Sequence, residues 1–118
     1  MARTHPRGYR GSFDPESVDV DTVFRLLSHT ECRHILRKLA SHPGNFVPVG
    51  ELVDSCVEAQ PDDRDIDREA VEIQCHHQHL PALEAAGLIE YDETSGDVRY
   101  YRNPMVEEVL DIVHQWKE

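Results

Sequence analysis

Apolar residues recur at steps of three and four along most of the chain, which is the spacing of one face of an α-helix. Two such stripes come first: Val20, Val23, Phe24 and Leu27, then Cys32, Ile35, Leu36 and Leu39. A polar interruption at residues 28–30 separates them, and Thr30 is predicted to cap the second helix. The pattern therefore predicts two short helices, the second ending near Pro43 and Gly44.

Two further helices are predicted in the middle of the chain. After an extended stretch at residues 46–49, one apolar face consists of Val49, Leu52, Val53, Cys56 and Val57. A polar connection then leads to a long helix from about Asp67 to Gly87, with one inward side made of Ala70, Ile73, His76 or His77, Leu80 and Leu83. Pro81 lies inside it, so a kink or a loosened turn is expected near His77.

After Gly87 the apolar period changes to two, which is typical of β-strands. Residues 88–91 and 98–101 flank a tip at 92–97 and predict a hairpin. Pro104 opens a final helix with a narrow apolar stripe at near-heptad spacing: Val106, Val109, Leu110, Val113 and Trp116. We expect this stripe to form a homodimer interface, together with the helix of Val20, Phe24 and Leu27, because the domain already has a core. Packing onto its own domain is the alternative.

The order helix, helix, short strand, helix, helix, hairpin, helix is that of a winged helix-turn-helix domain with an added C-terminal helix. The expected fold class is mainly α with a small β-hairpin. We expect a flexible basic N-terminal arm at 1–18, a winged helix-turn-helix DNA-binding domain at 19–102 and a C-terminal dimerisation helix at 103–118. A chain of 118 residues is long enough for one compact domain.

The charge balance is unusual, with 23 acidic against 12 basic residues and a net charge of −11. Only Lys38 and Lys117 are lysines, and this skew resembles proteins of extreme halophiles. At molar salt the Debye length is about 3 Å, so surface acids would not prevent an approach to DNA. We therefore interpret the acidity as adaptation to a salty cytoplasm, with K⁺ ions at the acidic surface; an acidic protein of a mesophile is the alternative. Neither a membrane span nor a secretory signal is indicated, so a cytoplasmic protein is expected.

The cysteines indicate reduced thiols, because Cys32, Cys56 and Cys75 are far apart in sequence and have no CxxC spacing. Cys32 and Cys56 lie on apolar faces and are expected to be buried, whereas Cys75 lies at a helix edge and is the one candidate redox site. Cys75 with His76, His77 and His79 suggests a metal, but the spacing supports it weakly, so no metal or other cofactor is expected. No phosphate loop, nucleophile elbow or HExxH motif is present, and an enzyme is not expected.

The run at residues 76–92, HHQHLPALEAAGLIEYD, resembles the end of the recognition helix and the start of the wing in ArsR- and PadR-like regulators. It is most similar to small winged-helix regulators of haloarchaea, and the resemblance covers roughly residues 19–102. It implies a sequence-specific transcription regulator that binds double-stranded DNA as a homodimer, with oxidative stress as a possible signal. The cysteine motif of ArsR-type metal sensors is absent. A winged-helix adaptor that binds another protein is the alternative, because the fold alone does not determine the partner.

Candidate DNA contacts follow from the predicted recognition helix. Gln74 and Gln78, with Cys75 and His77 at the edge, lie opposite its apolar side, and a glutamine can pair with adenine in the major groove. Phosphate or minor-groove contacts are expected from arginines near the helix start and in the second wing strand: Arg64, Arg68, Arg99 and Arg102. Solvated polar positions and arginines bonded to neighbouring acids are the alternatives. The hairpin tip has three acids and no base, so deep insertion by the tip is not expected.

Overall fold

The computed structural model describes residues 18–44, 46–59 and 67–117. Their elements are, in chain order, α1 (Val20–Leu27), α2 (Thr30–Ser41), β1 (Phe46–Pro48), α3 (Val49–Glu58), α4 (Arg68–Gln74), a π-helix (Cys75–His79), α5 (Leu80–Ala85), β2 (Ile89–Asp92), β3 (Asp97–Tyr100) and α6 (Pro104–Lys117). We call the continuous run of α4, π-helix and α5 the α4–α5 segment. The prediction of a mainly helical fold with a small β-hairpin is confirmed.

The sheet has three antiparallel strands in the order β1-β3-β2. The predicted hairpin is β2 and β3, and β1 adds a third strand by pairing Val47 with Val98. Gly87 and Gly96 have positive φ angles of 84° and 81°, a conformation that glycine adopts without steric cost. These two glycines therefore end α5 and turn the hairpin.

The first two helices begin differently from one another. Asp19 caps α1, because its carboxylate accepts a hydrogen bond from the Thr22 backbone N–H at 2.9 Å. The predicted cap at Thr30 is wrong: Thr30 is already the first residue of α2, and its hydroxyl accepts a hydrogen bond from Arg33 at 3.3 Å instead. On the outer side of α1, Val20 and Phe24 are exposed, whereas Leu27, expected beside them in the dimer interface, is buried in the core.

A single core joins all of these elements. Its largest buried side chains come from α1, α2, α3, α5 and the sheet: Val23, Ile35, Leu36, Leu39, Val47, Leu52, Val53, Leu80, Leu83, Leu88, Ile89 and Tyr100. Apolar burial of this kind supplies about 25 cal/mol per Å² removed from water. The core thus fixes one face of each helix and leaves the opposite faces available.

The loosened turn expected from Pro81 is present as the π-helix Cys75–His79. The Leu80 backbone N–H bonds to the Cys75 carbonyl, five residues earlier, so Cys75 and Leu80 share a face and are both buried. In a regular α-helix, residues five apart lie on different faces. The wide turn also rotates Ile73 out of the core to 51% exposure, and its predicted inward position is wrong.

The C-terminal helix is anchored by its first turns. Asn103 is buried and its side-chain oxygen accepts hydrogen bonds from the Met105 and Val106 backbone N–H groups. Arg37 donates to the Leu110 carbonyl at 3.2 Å. Val106 and Leu110 are buried, so the prediction that they lie in a dimer interface is wrong. They pack in the core of their own domain instead.

Candidate nucleic-acid interface

The α4–α5 segment presents a polar face to solvent. Gln74, His77 and Gln78 are exposed there, while Cys75 and Leu80 face the core. Cys75 is only 1% exposed, so its assignment as a DNA contact is corrected; the π-helix turns it inward. Exposed Ala70 and Ile73 join the polar side chains, and this mixed face could meet both base edges and thymine methyl groups.

Arg68 stands at the start of the segment and is bonded to two acids. Its guanidinium donates to the Asp54 carboxylate at 2.6 Å and lies 3.7 Å from that of Glu72. The hydrogen bond to Asp54 raises the pKa of Arg68 above its ordinary value. Asp67 caps the helix by accepting from the Glu69 backbone N–H. Arg68 therefore links α3 to α4 while about half of its side chain stays exposed, and the predicted Arg64 lies outside the described residues.

Arg99 lies on β3 between two aromatic rings. Its guanidinium carbon is 5.5 Å from the Phe46 ring centroid and 5.2 Å from that of Tyr101. Phe46 is its partner across the sheet, and Tyr101 is two residues away on the same face. The sequence reasoning missed both rings, although a strand register that pairs residues 46 and 99 would have indicated them. This stack holds the cation on one face of the sheet.

Arg102 is directed elsewhere. One guanidinium nitrogen donates to the Glu107 carboxylate at 3.1 Å and another to the Ala40 carbonyl at 3.1 Å. These bonds join the end of the sheet to α6 and α2, whereas Arg99 packs on the aromatic rings. Arg99 and Arg102 therefore have different contacts among the described residues. Arg102 has a structural role in addition to any contact with DNA.

The hairpin is packed against the α4–α5 segment. The His76 ring centroid is 5.7 Å from that of Tyr91, and the Glu84 carboxylate accepts a hydrogen bond from the Tyr91 backbone N–H at 3.3 Å. At the tip, Asp92 accepts from the Thr94 backbone N–H and so stabilises the turn. The acids of the tip are exposed or half-buried.

Apolar side chains are exposed on two neighbouring helices, α1 and α6. Phe24 on α1 is 53% exposed beside Val20, and Trp116 on α6 is 82% exposed beyond Ile112. The two helices pack against each other. Of the predicted interface residues, Val109 and Val113 are half-buried and Trp116 is exposed. On the predicted partner helix α1, Val20 and Phe24 are exposed and Leu27 is buried, and the structure adds Ile112 to this surface.

The three cysteines and one histidine meet in the core. The Cys32 sulfur lies 3.9 Å from Nδ1 of His79, and the Cys56 sulfur lies 3.9 Å from the Glu31 carbonyl oxygen. The mutual influence of the Cys56 and Cys75 thiols raises the pKa of Cys56 and lowers that of Cys75, while burial raises the pKa of Cys32 to about 11. Among residues 18–44, 46–59 and 67–117 no group of three or more potential ligands is placed to hold a metal ion.

These features define a small, mainly helical protein with a three-stranded antiparallel sheet and one exposed polar helix face. The chain belongs to the DUF7344 family, a domain of unknown function whose model matches residues 24–99. This match runs from the second half of α1 into β3 and stops before α6. Neither a curated protein nor a solved structure matches the chain. None of the described helices is long and apolar enough to cross a membrane.

Proposed function

We propose that this protein is a winged helix-turn-helix transcription regulator that binds double-stranded DNA. The observation that carries the proposal is the exposed face of the α4–α5 segment, where Gln74, His77 and Gln78 point away from the core. Glutamine offers a donor and an acceptor to the N6 and N7 atoms of adenine, and histidine can form one such bond. A rigid, core-backed helix with this face is suited to reading the major groove.

The arrangement of the sheet supports the same proposal. In a winged helix the strand before the helix pair joins the hairpin that follows it, and here β1 pairs with β3 at the edge of the sheet. α3 and the α4–α5 segment form the helix pair in this interpretation, joined by Arg68 and Asp54. Arg99, stacked on Phe46 and Tyr101, would then contact a phosphate or the minor groove beside the wing.

The surface charge defines the conditions for binding. A net charge of −11 opposes DNA in dilute buffer, and Arg68 and Arg102 are partly neutralised by acids. In a highly salty cytoplasm these repulsions are screened, and K⁺ ions held by exposed acids would accompany the protein onto DNA. We therefore expect binding to be measurable in molar KCl.

We infer that the regulator is a homodimer formed through α1 and the second half of α6. Phe24, Ile112 and Trp116 are large apolar side chains exposed on two helices in contact, and a second copy would bury them. Twofold symmetry would place two reading helices about 34 Å apart, matching a palindromic site.

A protein-binding adaptor is the second candidate, favoured by the net acidic charge and by the arginines that are already bonded. Selection of binding sites from random double-stranded DNA in molar KCl decides between the two. A regulator enriches one sequence motif with two half-sites. An adaptor enriches none, and that result would overturn the proposal.

The reading face is tested by a double variant, Gln74→Ala with Gln78→Ala. Each lost bidentate pair should weaken binding to the selected site by about 1–3 kcal/mol, with a smaller effect on unrelated DNA. Gln115→Ala is the matched control, because Gln115 is an exposed glutamine on α6. Equal affinities for the selected site in the double variant, the control and the unmodified protein would exclude this face as the reader.

A further inference from the structure

A cavity of about 530 Å³ lies beside the N-terminal end of α2. Its walls come from α1, the start of α2, the π-helix and α5. The buried part of its lining is Leu26, Cys32 and His79, and exposed polar side chains surround this part. Cavities of roughly 300–1,000 Å³ are the size that small organic ligands occupy. The volume and the mixed lining are therefore those of a ligand site.

The start of α2 gives this cavity a preference for negative charge. α2 begins at Thr30 and is 12 residues long, and the side chain of His29, in the cap position, makes no hydrogen bond to the first turn. The backbone N–H groups of residues 30–32 come before the first bond within the helix, which Arg33 donates to the His29 carbonyl. Such uncapped N–H groups, with the helix dipole, attract an anion. Arg25 adds a positive charge to the same lining.

His79 indicates a ligand independently of the helix. It is 7% exposed, and its Nε2 atom has no hydrogen-bond partner within the described part of the chain. Burial raises the pKa of Cys32 to about 11, so Cys32 keeps its proton and its S–H group can donate to Nδ1 of His79, 3.9 Å away. Nε2 then carries the ring proton and is a buried donor without an acceptor, which is costly. An oxygen atom of a ligand would remove that cost.

We propose that this cavity binds a small organic monocarboxylate. A carboxylate accepts several hydrogen bonds at once, as the first turn of α2, the Arg25 guanidinium and His79 Nε2 together require. Three alanines of the lining, Ala82, Ala85 and Ala86, leave space for an apolar body, which an inorganic anion would not fill.

Two acids near the cavity limit the charge of the ligand. Asp19 is part of the lining, but its carboxylate already accepts hydrogen bonds from the Thr22 backbone N–H and hydroxyl, both at 2.9 Å. Glu31 is half-buried in the first turn of α2. Their charges oppose a second carboxylate on the ligand, so a monocarboxylate should bind more tightly than a dicarboxylate. Among residues 18–44, 46–59 and 67–117 no group of three potential ligands is placed to hold a metal ion instead.

Binding is tested with carboxylates and their uncharged amides. The full-length protein, labelled with ¹⁵N, is titrated in molar KCl at fixed pH with butyrate, benzoate and succinate, and with butyramide and benzamide. We expect butyrate or benzoate to shift the backbone resonances of residues 30–32 and the His79 imidazole resonances to saturation, and to raise Tm, with weaker binding of the matching amide and of succinate. The proposal is overturned if neither monocarboxylate gives a saturating shift, if an amide or succinate binds as tightly, or if the shifts lie elsewhere in the chain.

Variants at exposed positions place the ligand in the cavity. Arg25→Gln should weaken binding of the carboxylate several-fold, and Lys38→Gln, which makes the same change of charge outside the cavity lining, should not. Ala85→Leu should obstruct the cavity and abolish binding, whereas Ala70→Leu on α4 is the matched control, because Ala70 is also an exposed helical alanine. Unchanged affinity in both Arg25→Gln and Ala85→Leu would overturn the proposal.

The consequence for DNA rests on the proposed function. Gln78 lines the cavity and also belongs to the exposed face of the α4–α5 segment. A carboxylate that accepts a hydrogen bond from the Gln78 amide would hold it away from a base, so the ligand should weaken binding to a selected DNA site several-fold and reversibly. If no DNA site is selected, the proposed function fails while the titration still tests the cavity. A ligand that binds in the cavity without changing the affinity for a selected site would overturn only this regulatory step.

Discussion

The α4–α5 segment and α6 carry similar apolar stripes in sequence, yet the structure uses the two stripes differently. In the α4–α5 segment the π-helix changes which residues share a face, so Cys75 is buried and Ile73 is exposed. In α6 the helix is regular, but its stripe divides along its length, with Val106 and Leu110 in the core and Trp116 in solvent. Periodicity therefore identifies a common face only where the helix is regular, and it never identifies the partner of that face.

The largest expected effect tests the change of face in the α4–α5 segment. In a regular helix Ile73 and Leu80, seven residues apart, would share one buried side. Since Leu80 is buried and Ile73 is exposed, Leu80→Ala should lower the free energy of unfolding by about 2–5 kcal/mol, and Ile73→Ala by no more than about 0.5 kcal/mol. Chemical denaturation at fixed KCl measures both. Comparable losses in the two variants would mean that the segment is a regular helix.

The next effect tests the division of α6. Leu110→Ala should cost about 2–3 kcal/mol of unfolding free energy, because Leu110 is buried among core residues. Ile112→Ala should change the stability of the monomer little, since Ile112 is half exposed.

The exposed half of α6 also tests the proposed dimer. Ile112→Ala or Trp116→Ala should shift the equilibrium toward the monomer, and light scattering in molar KCl measures this. A dimer unaffected by both substitutions would remove the exposed half of α6 from the interface.

The sequence predicted the elements better than their contacts. The break at residues 28–30, the loosened turn near Pro81, the hairpin and the helix from Pro104 are all signalled by local chemistry: a polar interruption, a missing N–H, glycines and a change of period. The pairing of β1 with β3 depends on residues that are distant in sequence. The burial of Cys75 depends on the wide turn of the π-helix, which changes the residues that share a face. Local patterns predict neither, and so the stack around Arg99 and the burial of Cys75 appeared only in the structure.

A smaller effect compares two histidines of the π-helix, one buried and one exposed. Burial lowers the pKa of His79 below 6.5, with Glu31 opposing and His29 adding to the shift. The unfolded chain then binds this proton more readily, so the stability that neutral His79 contributes is complete above about pH 6.5 and is lost as the pH falls through the lower folded value.

Unfolding measured between pH 8 and pH 5 should therefore show a loss of stability toward acid. His79→Gln should reduce that loss, whereas His77→Gln, at an exposed position, should leave it unchanged. If both substitutions act alike, the desolvation of His79 does not determine how stability changes with pH.

The smallest effect compares acids at the start of the α4–α5 segment with acids on α6, and it rests on the proposed function. Binding to DNA normally lowers log K by about 0.9 per neutralised phosphate for each log unit of salt. Four acids lie near the start of this segment in sequence. Asp65 lies outside the described residues, Asp67 is used as a helix cap and Glu72 is paired with Arg68, so exposed Glu69 is the best candidate to hold a cation.

A cation that Glu69 takes up as a phosphate approaches would offset a cation released from DNA, and the salt slope should be shallow or even positive. Glu69→Gln should make the slope more negative by less than about one unit, and Glu72→Gln by less still, because Arg68 already neutralises part of that charge. Glu108→Gln on α6 is the matched control, since this exposed acid is not on the proposed reading segment. The measurement is affinity for a selected site between about 0.5 and 3 M KCl. A steep negative slope in the unmodified protein, or equal shifts in Glu69→Gln and Glu108→Gln, would show that cations at this segment do not take part in binding.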